Sequence, residues 1–501
     1  MRTSINRVSI HPLCAALASA WMATASAASP GAPFGSILTE TRAVLGSSPP
    51  ATTWVPEGGP TVAVTSCADA GAGSLRAIVA AAVEHETIDV SHCSGSTITL
   101  TSGEIAVPVD SLLITGTPVL QAPALVDAAA PAAMVQPAPI IDGNGSSRIF
   151  EHASSGGEFY LVDLTLRNGS VDGPGGCILA EGNLGILAAT ISGCTSHATT
   201  FGASIGGAVL ATGSLVLKDS TISGNTAVGD ASVHGGGLAV SGALTMIRST
   251  IANNTVNATS GVFGFGGGLY AGTSVFMTYS TISGNHANDI GGAELVGANG
   301  APLLIMSSTI SGNSAAGVGG LLALQAPLAM ASTTIAFNTA TAASGVGGLA
   351  LGNPSTLQST LIAHNLSASV ASDIASHCGI STCTLTVSGA NNLIMSSMNL
   401  VLPVDTIASE PVLLPLGLYG GSTRTHALAS TSPAIDHGNT IGAGNGSPTE
   451  DQRGAGYARV VGASADIGAF EVGAGPDRIF GDGFENCEAL LEIVCRPADE
   501  E

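Results

Sequence analysis

Residues 220–225 read Ser-Thr-Ile-Ser-Gly-Asn, and the phrase returns as Ser-Thr-Ile-Ala-Asn-Asn at 249–254 and Ser-Thr-Ile-Ser-Gly-Asn at 280–285 and 308–313. It recurs as Thr-Thr-Ile-Ala-Phe-Asn at 333–338 and Thr-Leu-Ile-Ala-His-Asn at 360–365. The isoleucines Ile191, Ile222, Ile251, Ile282, Ile310, Ile335 and Ile362 repeat at 25 to 31 residues, a spacing that marks a stacked repeat rather than a chain of globular domains. A looser copy runs through Leu164-Thr165-Leu166-Arg167-Asn168. Between the copies lie paired glycines: Gly175-Gly176, Gly206-Gly207, Gly236-Gly237, Gly267-Gly268, Gly291-Gly292, Gly319-Gly320 and Gly347-Gly348.

Apolar rows precede each isoleucine. Seven residues before it stand Leu184, Leu215, Leu244, Val275, Leu303 and Leu328, with Ser355 last; five before stand Ile186, Leu217, Met246, Met277, Ile305, Met330 and Leu357. Positions two apart face one way from a strand. The next inward positions are the Ser/Thr two before the isoleucine and the isoleucine itself, so alternation breaks and a bend joins two strands. Three short strands and three turns per unit describe a parallel β-helix, with about nine coils over residues 141–400. The Asn225, Asn254, Asn285, Asn313, Asn338 and Asn365 column then serves the turns, since its amides can bond backbone and tolerate the left-handed conformation.

Around this repeat, composition narrows the function. The 501 residues carry 35 acidic and 13 basic side chains, a net charge of −22, with Lys218 the sole lysine. Nucleic-acid binding is excluded, because phosphate neutralisation needs clustered cations. Residues 1–27 have the form of a signal peptide: Arg2 and Arg7, an apolar run from Leu13 to Met22, and Ala25-Ser26-Ala27 with cleavage after Ala27. Cleavage removes Cys14 and leaves eight cysteines in an oxidising compartment. Proximity pairs Cys67 with Cys93, Cys177 with Cys194, Cys378 with Cys383 and Cys487 with Cys495, other connectivities remaining open. Residues 315–337 are uncharged but keep the repeat register and contain Pro327, so they are placed in the coils and not in a membrane.

The flanks carry their own motifs. Gly71-Ala72-Gly73-Ser74-Leu75-Arg76-Ala77-Ile78, followed by Ile98-Thr99-Leu100-Thr101-Ser102-Gly103, resembles the amino-terminal segment of CSLREA-type secreted proteins, without their Cys before the Ser and their acid after the Arg. Asn391-Asn392-Leu393-Ile394, Gly420-Gly421-Ser422-Thr423-Arg424-Thr425-His426-Ala427-Leu428 and Ser432-Pro433-Ala434-Ile435-Asp436 are similar to the choice-of-anchor Q domain. So are Asp451-Gln452-Arg453-Gly454 and Ala465-Asp466-Ile467-Gly468-Ala469-Phe470-Glu471. The repeats resemble those of polymorphic outer-membrane proteins. These resemblances imply an all-β, right-handed parallel β-helix (a pectin-lyase-like solenoid) with capped ends, secreted to the exterior or outer-membrane surface of a Gram-negative bacterium. The divisions expected are a linker at 28–60, an amino-terminal cap segment with a loop insertion at 61–140, coils at 141–400, a carboxy-terminal cap at 401–472 and an acidic tail at 473–501. Ser74 to His85 would cover one open end and 401–472 the other, because bare strand edges aggregate.

An enzyme on this scaffold, a polysaccharide lyase or glycoside hydrolase, needs a base with a charge sink or two carboxylates at fixed separation. From Leu295 to Ser372 there is no Asp, Glu, Lys or Arg, and over 171–421 the basic residues are Lys218 and Arg248 alone. Asp219 and Arg248 share a repeat position and form a surface pair. Asp289 and Glu294 lie near each other without a basic companion. Glu84, His85, Glu86 and His92 match no metal spacing, and Arg424, Asp436, Asp451, Arg453, Asp466 and Glu471 suit ion pairs that fix a cap. The expectation is a scaffold or adhesin-like protein, monomeric, with no catalytic residue, cofactor or metal, whose partner is a surface glycan or another protein. Two apolar rows are read as pointing outward and, where exposed, as available to a partner: Ile178, Val209, Leu238, Leu269, Leu322 and Ala350, interrupted by Glu294; and Val216, Phe276 and Leu304. The competing assignment has loops such as Asn253 to Phe265 folded over them.

Overall fold

The computed structural model describes residues 59–117, 137–198, 206–230, 232–259, 263–378, 383–439 and 449–475. Through them the chain winds into three long parallel sheets of 13, 11 and 11 strands, each sheet taking its strands from successive coils. Sheet A includes Asn183–Leu187, Leu215–Lys218 and Leu244–Ile247; sheet B includes Ile178–Ala180, Val209–Ala211 and Leu238–Val240; sheet C includes Thr190–Ser192, Thr221–Ser223 and Thr250–Ala252. The result is a parallel β-solenoid. Coils begin before the recognisable repeat, since Thr97–Thr99, Ile105–Val107 and Ser111–Thr115 already belong to the three sheets. Residues 61–115 therefore build coils as well as flanking them. Two four-stranded sheets add a short fourth strand to most coils, among them Thr226–Gly229 and Thr339–Ala340.

The anticipated apolar rows stack in register. Leu184 pairs with Leu215, Leu215 with Leu244, Leu244 with Val275 and Val275 with Leu303, and the row from Ile186 to Leu357 does the same. Both rows are buried in one continuous core. The bend between sheets A and C is a column of left-handed residues three before each isoleucine, including Asp219, Arg248, Tyr279, Ser307 and Ser332. One such residue turns the chain and resets the alternation, which brings Ser220, Ser249, Ser280 and Ser308 inside. There each serine hydroxyl accepts the backbone N–H of its counterpart one coil earlier, at 3.1 Å.

The asparagine column is a second buried ladder. Asn254 Oδ1 accepts the Asn225 N–H at 3.0 Å and its Nδ2 at 2.9 Å, and this is repeated through Asn285, Asn313, Asn338 and Asn365. Each remaining amide proton goes to a carbonyl of the preceding coil, as Asn285 Nδ2 does to Ile251 at 3.0 Å. The ladder ends where Asp373 Oδ1 receives the Asn365 N–H and Nδ2, both at 2.9 Å. Glycines are required opposite it. A Cβ on Gly237 would sit 2.9 Å from the Asn254 amide, and one on Gly268 2.8 Å from that of Asn285. The two halves of the sequence repeat thus touch each other.

One assigned outward row is corrected. Ile178, Val209, Leu238 and Leu269 pair in a row that continues through Ala293 and Leu321, and all lie inside. The outward row of sheet B is Leu179, Leu210, Ala239, Tyr270, Glu294, Leu322 and Ala350. The slip arises at Gly235-Gly236-Gly237 and Gly266-Gly267-Gly268, where three glycines run together. Earlier coils use the first two positions of that run and later coils the last two, and a shift of one residue flips the face.

At the amino-terminal side, α1 (Leu75–Ala80) is capped by Ser74, whose hydroxyl accepts the Ala77 N–H, and it buries Leu75 and Val79. Arg76 forks onto Asp69 at 2.7 and 3.1 Å and onto the Gly103 and Glu104 carbonyls at 2.6 Å. Burial alone would raise the Asp69 pKa, but the Arg76, Thr101 and Ser102 bonds hold it well below the carboxylate range.

Replacing Asn285 by alanine leaves buried partners on two neighbouring coils without bonds. The expected loss is about 1–3 kcal/mol, read as a lower denaturant midpoint with an unchanged fold by circular dichroism.

Candidate functional site

Sheet C does not face solvent along its whole length. Of residues 401–472, expected to close the end of the stack, 401–439 and 449–472 are described and make contacts along this flank. The Thr281 hydroxyl donates to the Arg424 carbonyl at 2.6 Å, that of Thr309 to Gln452 Oε1 at 2.5 Å, and that of Thr423 to the Tyr279 carbonyl at 2.8 Å. Gln452 Nε2 returns bonds to Thr281, Thr423 and the Arg424 carbonyl at 2.9 to 3.1 Å. Leu361, Ala363 and Leu393 of the coils share an apolar cluster with Leu428, Ala434 and Ile467. The physical reason for a lateral position is the outward threonine row of sheet C, whose hydroxyls at Thr281 and Thr309 find polar partners in Arg424 and Gln452. Residues nearest the final coil do extend the end, since Ile407 bridges to Leu393.

His426 is buried in this seam. Its Nδ1 lies 2.7 Å from the Leu414 carbonyl and so carries the proton, leaving Nε2 to accept from the Ser311 hydroxyl at 2.8 Å. Burial, with His364 nearby, keeps its pKa below the ordinary histidine range despite the Leu414 bond. Phe337 stacks on His364 at 5.0 Å and contacts the His426 ring at 5.0 Å.

The charged cluster of this segment is a structural network. Arg453 bonds Asp451 at 2.6 Å and the Glu471 carbonyl at 2.6 Å, while its guanidinium lies 3.9 Å from the Phe470 ring centre and 4.1 Å from that of Tyr457. Asp466 accepts the Asp436 and Val472 N–H groups, and Glu471 accepts those of Val461 and Asp466. Arg424 is exposed and stands outside it. Arg459, which the motifs did not single out, takes its place, 3.6 Å from Glu471 and bonded to the Asp466 carbonyl. Burial pushes the Glu471 pKa up to about 7 and raises that of Asp466.

Other singled-out groups are also engaged. Arg248 forks onto Asp219 at 2.6 and 2.9 Å. Glu84 accepts the Asp110 and Ser111 N–H groups, Glu86 that of Val83, and Asp289 that of Gly264. Cys67 and Cys93, Cys177 and Cys194, and Cys378 and Cys383 are paired, with Cα–Cα distances of 5.7, 5.6 and 6.0 Å. Ala27, Cys487 and Cys495 lie outside the described residues. Among the described residues no helix is long and apolar enough to cross a membrane, and no His/Cys/Asp/Glu group is arranged to hold a metal.

The outward apolar rows are largely closed. Leu322 and Ala350 pack under Ile290, Val318 and Val346, with Phe265 against them, as a loop cover requires. Val216 and Leu304 are buried, and Phe276 is partly so. One stretch of sheet B differs, where Tyr270 and Glu294 are neighbours in register and His234 Nδ1 lies 3.8 Å from Glu294 Oε2. His234 contacts Tyr270 at 4.7 Å and Phe265 at 5.1 Å, and Phe265 stacks on Phe263 at 5.8 Å. Sequence reasoning found Glu294 but did not place beside it Tyr270, from the preceding strand of sheet B, or His234, Phe263 and Phe265, which come from insertions outside the repeat phrase. Uneven coil length is the signal that locates them. No protein-family model matches the chain, and neither curated proteins nor solved structures include a match.

Glu471 gives a signed prediction. Its folded-state pKa of about 7 lies above the ordinary 4.5, so the folded chain holds an extra proton between those values. Stability from this group is full below the lower value and is lost as pH rises through the upper one. Relative to Glu471→Gln, the wild-type melting temperature should fall between about pH 5 and about pH 8. Parallel pH curves for the two proteins would contradict it.

Proposed function

We propose that this protein is a secreted or cell-surface scaffold that presents its solenoid to a partner and performs no chemistry of its own. The observation that carries the reading is the use made of its ionisable groups. Several with the right chemistry for catalysis are spent on structure: Asp219 with Arg248, Asp451 with Arg453, and Glu84, Glu86 and Asp289 on backbone N–H groups. The stretch from Leu295 to Ser372 contributes coils without any charged residue. A rod of this kind offers area and rigidity rather than an acid and a base.

Export is supported by the signal-like residues 1–27 and by cysteine pairs that suit an oxidising compartment. The coils are assigned right-handed on the general rule for parallel crossovers. Helix α1 serves as the amino-terminal cover, since it packs on Ile105–Val107, the edge strand of sheet B.

Two measurements test the proposal together. Fractionation of the producing cells should find the chain outside the cytoplasm and shortened at its amino terminus. Incubation with neutral and acidic polysaccharides should release neither new reducing ends nor unsaturated sugars. Cytoplasmic residence, or either product, overturns it.

A further inference from the structure

The coils are unequal in length, and two of the longer ones lie side by side. Ile310 and Ile335 are 25 residues apart, whereas Ile222, Ile251 and Ile282 follow at 29 and 31. The added residues form two short paired strands, Val233–His234 and Gly264–Phe265, which put their aromatic side chains beside the outer face of sheet B. Phe263, Phe265, His234 and Tyr270 make a continuous row of rings, each 4.7 to 5.8 Å from the next. Phe263 closes the row on the solvent side and is 60% exposed. Three aromatic side chains and a histidine meet here in a protein only 4% aromatic.

Glu294 lies at the other end of the row. Its side chain is 9% exposed, its Oε2 has no hydrogen-bond partner, and neither has His234 Nδ1 beside it. A carboxylate held on an apolar face with an idle acceptor is costly, and neighbouring coils fill the same position with Leu322 and Ala350. The fold itself needs no acid there.

We infer that the row from Phe263 to Glu294 is a binding site for a neutral carbohydrate, whose sugar ring lies on the aromatic row and whose hydroxyls reach Glu294 and His234. Five arguments select that ligand class. An anion is repelled by Glu294 and by a chain of net charge −22. A wholly apolar ligand leaves the carboxylate unsatisfied. An organic cation is held by rings that face a common centre, whereas here Phe263 stacks on Phe265 and Tyr270 meets His234 edge-on, so the rings form no cage. A hydroxyl both donates and accepts, so it satisfies Glu294 and either tautomer of His234. The ring carbons of a sugar supply C–H groups for the electron-rich face of Phe263, the exposed end of the row. His234, 23% exposed, is the side chain that turns to admit the hydroxyl. Hydrolysis does not follow, because a second carboxylate is needed and Asp289 is bonded to the Gly264 N–H at 2.8 Å.

The inference rests on the scaffold reading and names its ligand. Calorimetric titration of the full secreted chain with cellohexaose, mannohexaose, xylohexaose and chitohexaose tests it, with hexagalacturonate and tetramethylammonium as anionic and cationic probes. At least one neutral hexasaccharide should bind, and Phe263→Ala and Glu294→Gln should each weaken it about tenfold or more. Phe263→Ala should melt as wild type does, its ring being exposed. Absence of binding by all four neutral sugars, or preference for either charged probe, overturns the inference. Unchanged affinity in both variants removes this site while leaving the scaffold reading intact. Release of shorter saccharides removes both.

Discussion

The buried asparagine ladder is the interaction on which the rest of the solenoid depends. A parallel coil stack must turn its chain inside a dry interior, and every turn exposes backbone groups that find no water there. Each asparagine from Asn225 to Asn338 answers this by binding backbone of the coil before it and the amide of the coil after it, and Asn365 ends the column on the Asp373 carboxylate. Such a column fixes register along the stack, since a slip of one residue would break bonds in every coil at once. It also dictates the paired glycines, whose missing side chains make room for the amides. The serine ladder at the second bend is a smaller version of the same solution.

With the interior settled, function is a question of which outer surface remains open. Residues of the carboxy-terminal segment, Arg424 and Gln452 among them, cover sheet C at the Thr281 and Thr309 hydroxyls. Loop residues Ile290, Val318 and Val346 cover the outward leucine and alanine of sheet B beyond Glu294. The row running from Phe263 to Glu294 gathers the extra residues of two adjacent longer coils, and there Glu294 Oε2 and His234 Nδ1 remain without partners. A binding role placed there accounts for both features with one ligand.

Much of this was legible because repetition makes a pattern visible. The Ile-x-x-Asn phrase and the rows headed by Leu184 and Ile186 report the stacking directly, as each position recurs in the same environment. The phase of sheet B was not legible from glycine pairs, because the triple glycines conceal a shift of one residue that only the coil-to-coil pairing reveals. The earliest coils lack the phrase and read as a flanking segment. The flank position of 401–472 depends on contacts such as that of Thr309 with Gln452, 143 residues apart, for which local pattern carries no signal. His234 and Glu294 meet for the same reason, brought together by the winding of the coils rather than by spacing.

The central claim is that the solenoid wall, not the carboxy-terminal segment, receives the ligand. Amide hydrogen exchange of the full chain, with and without a bound neutral hexasaccharide, measures this most directly. The account predicts added protection at residues 233–234, 263–270 and 293–295. Protection confined to residues 401–472 would contradict it.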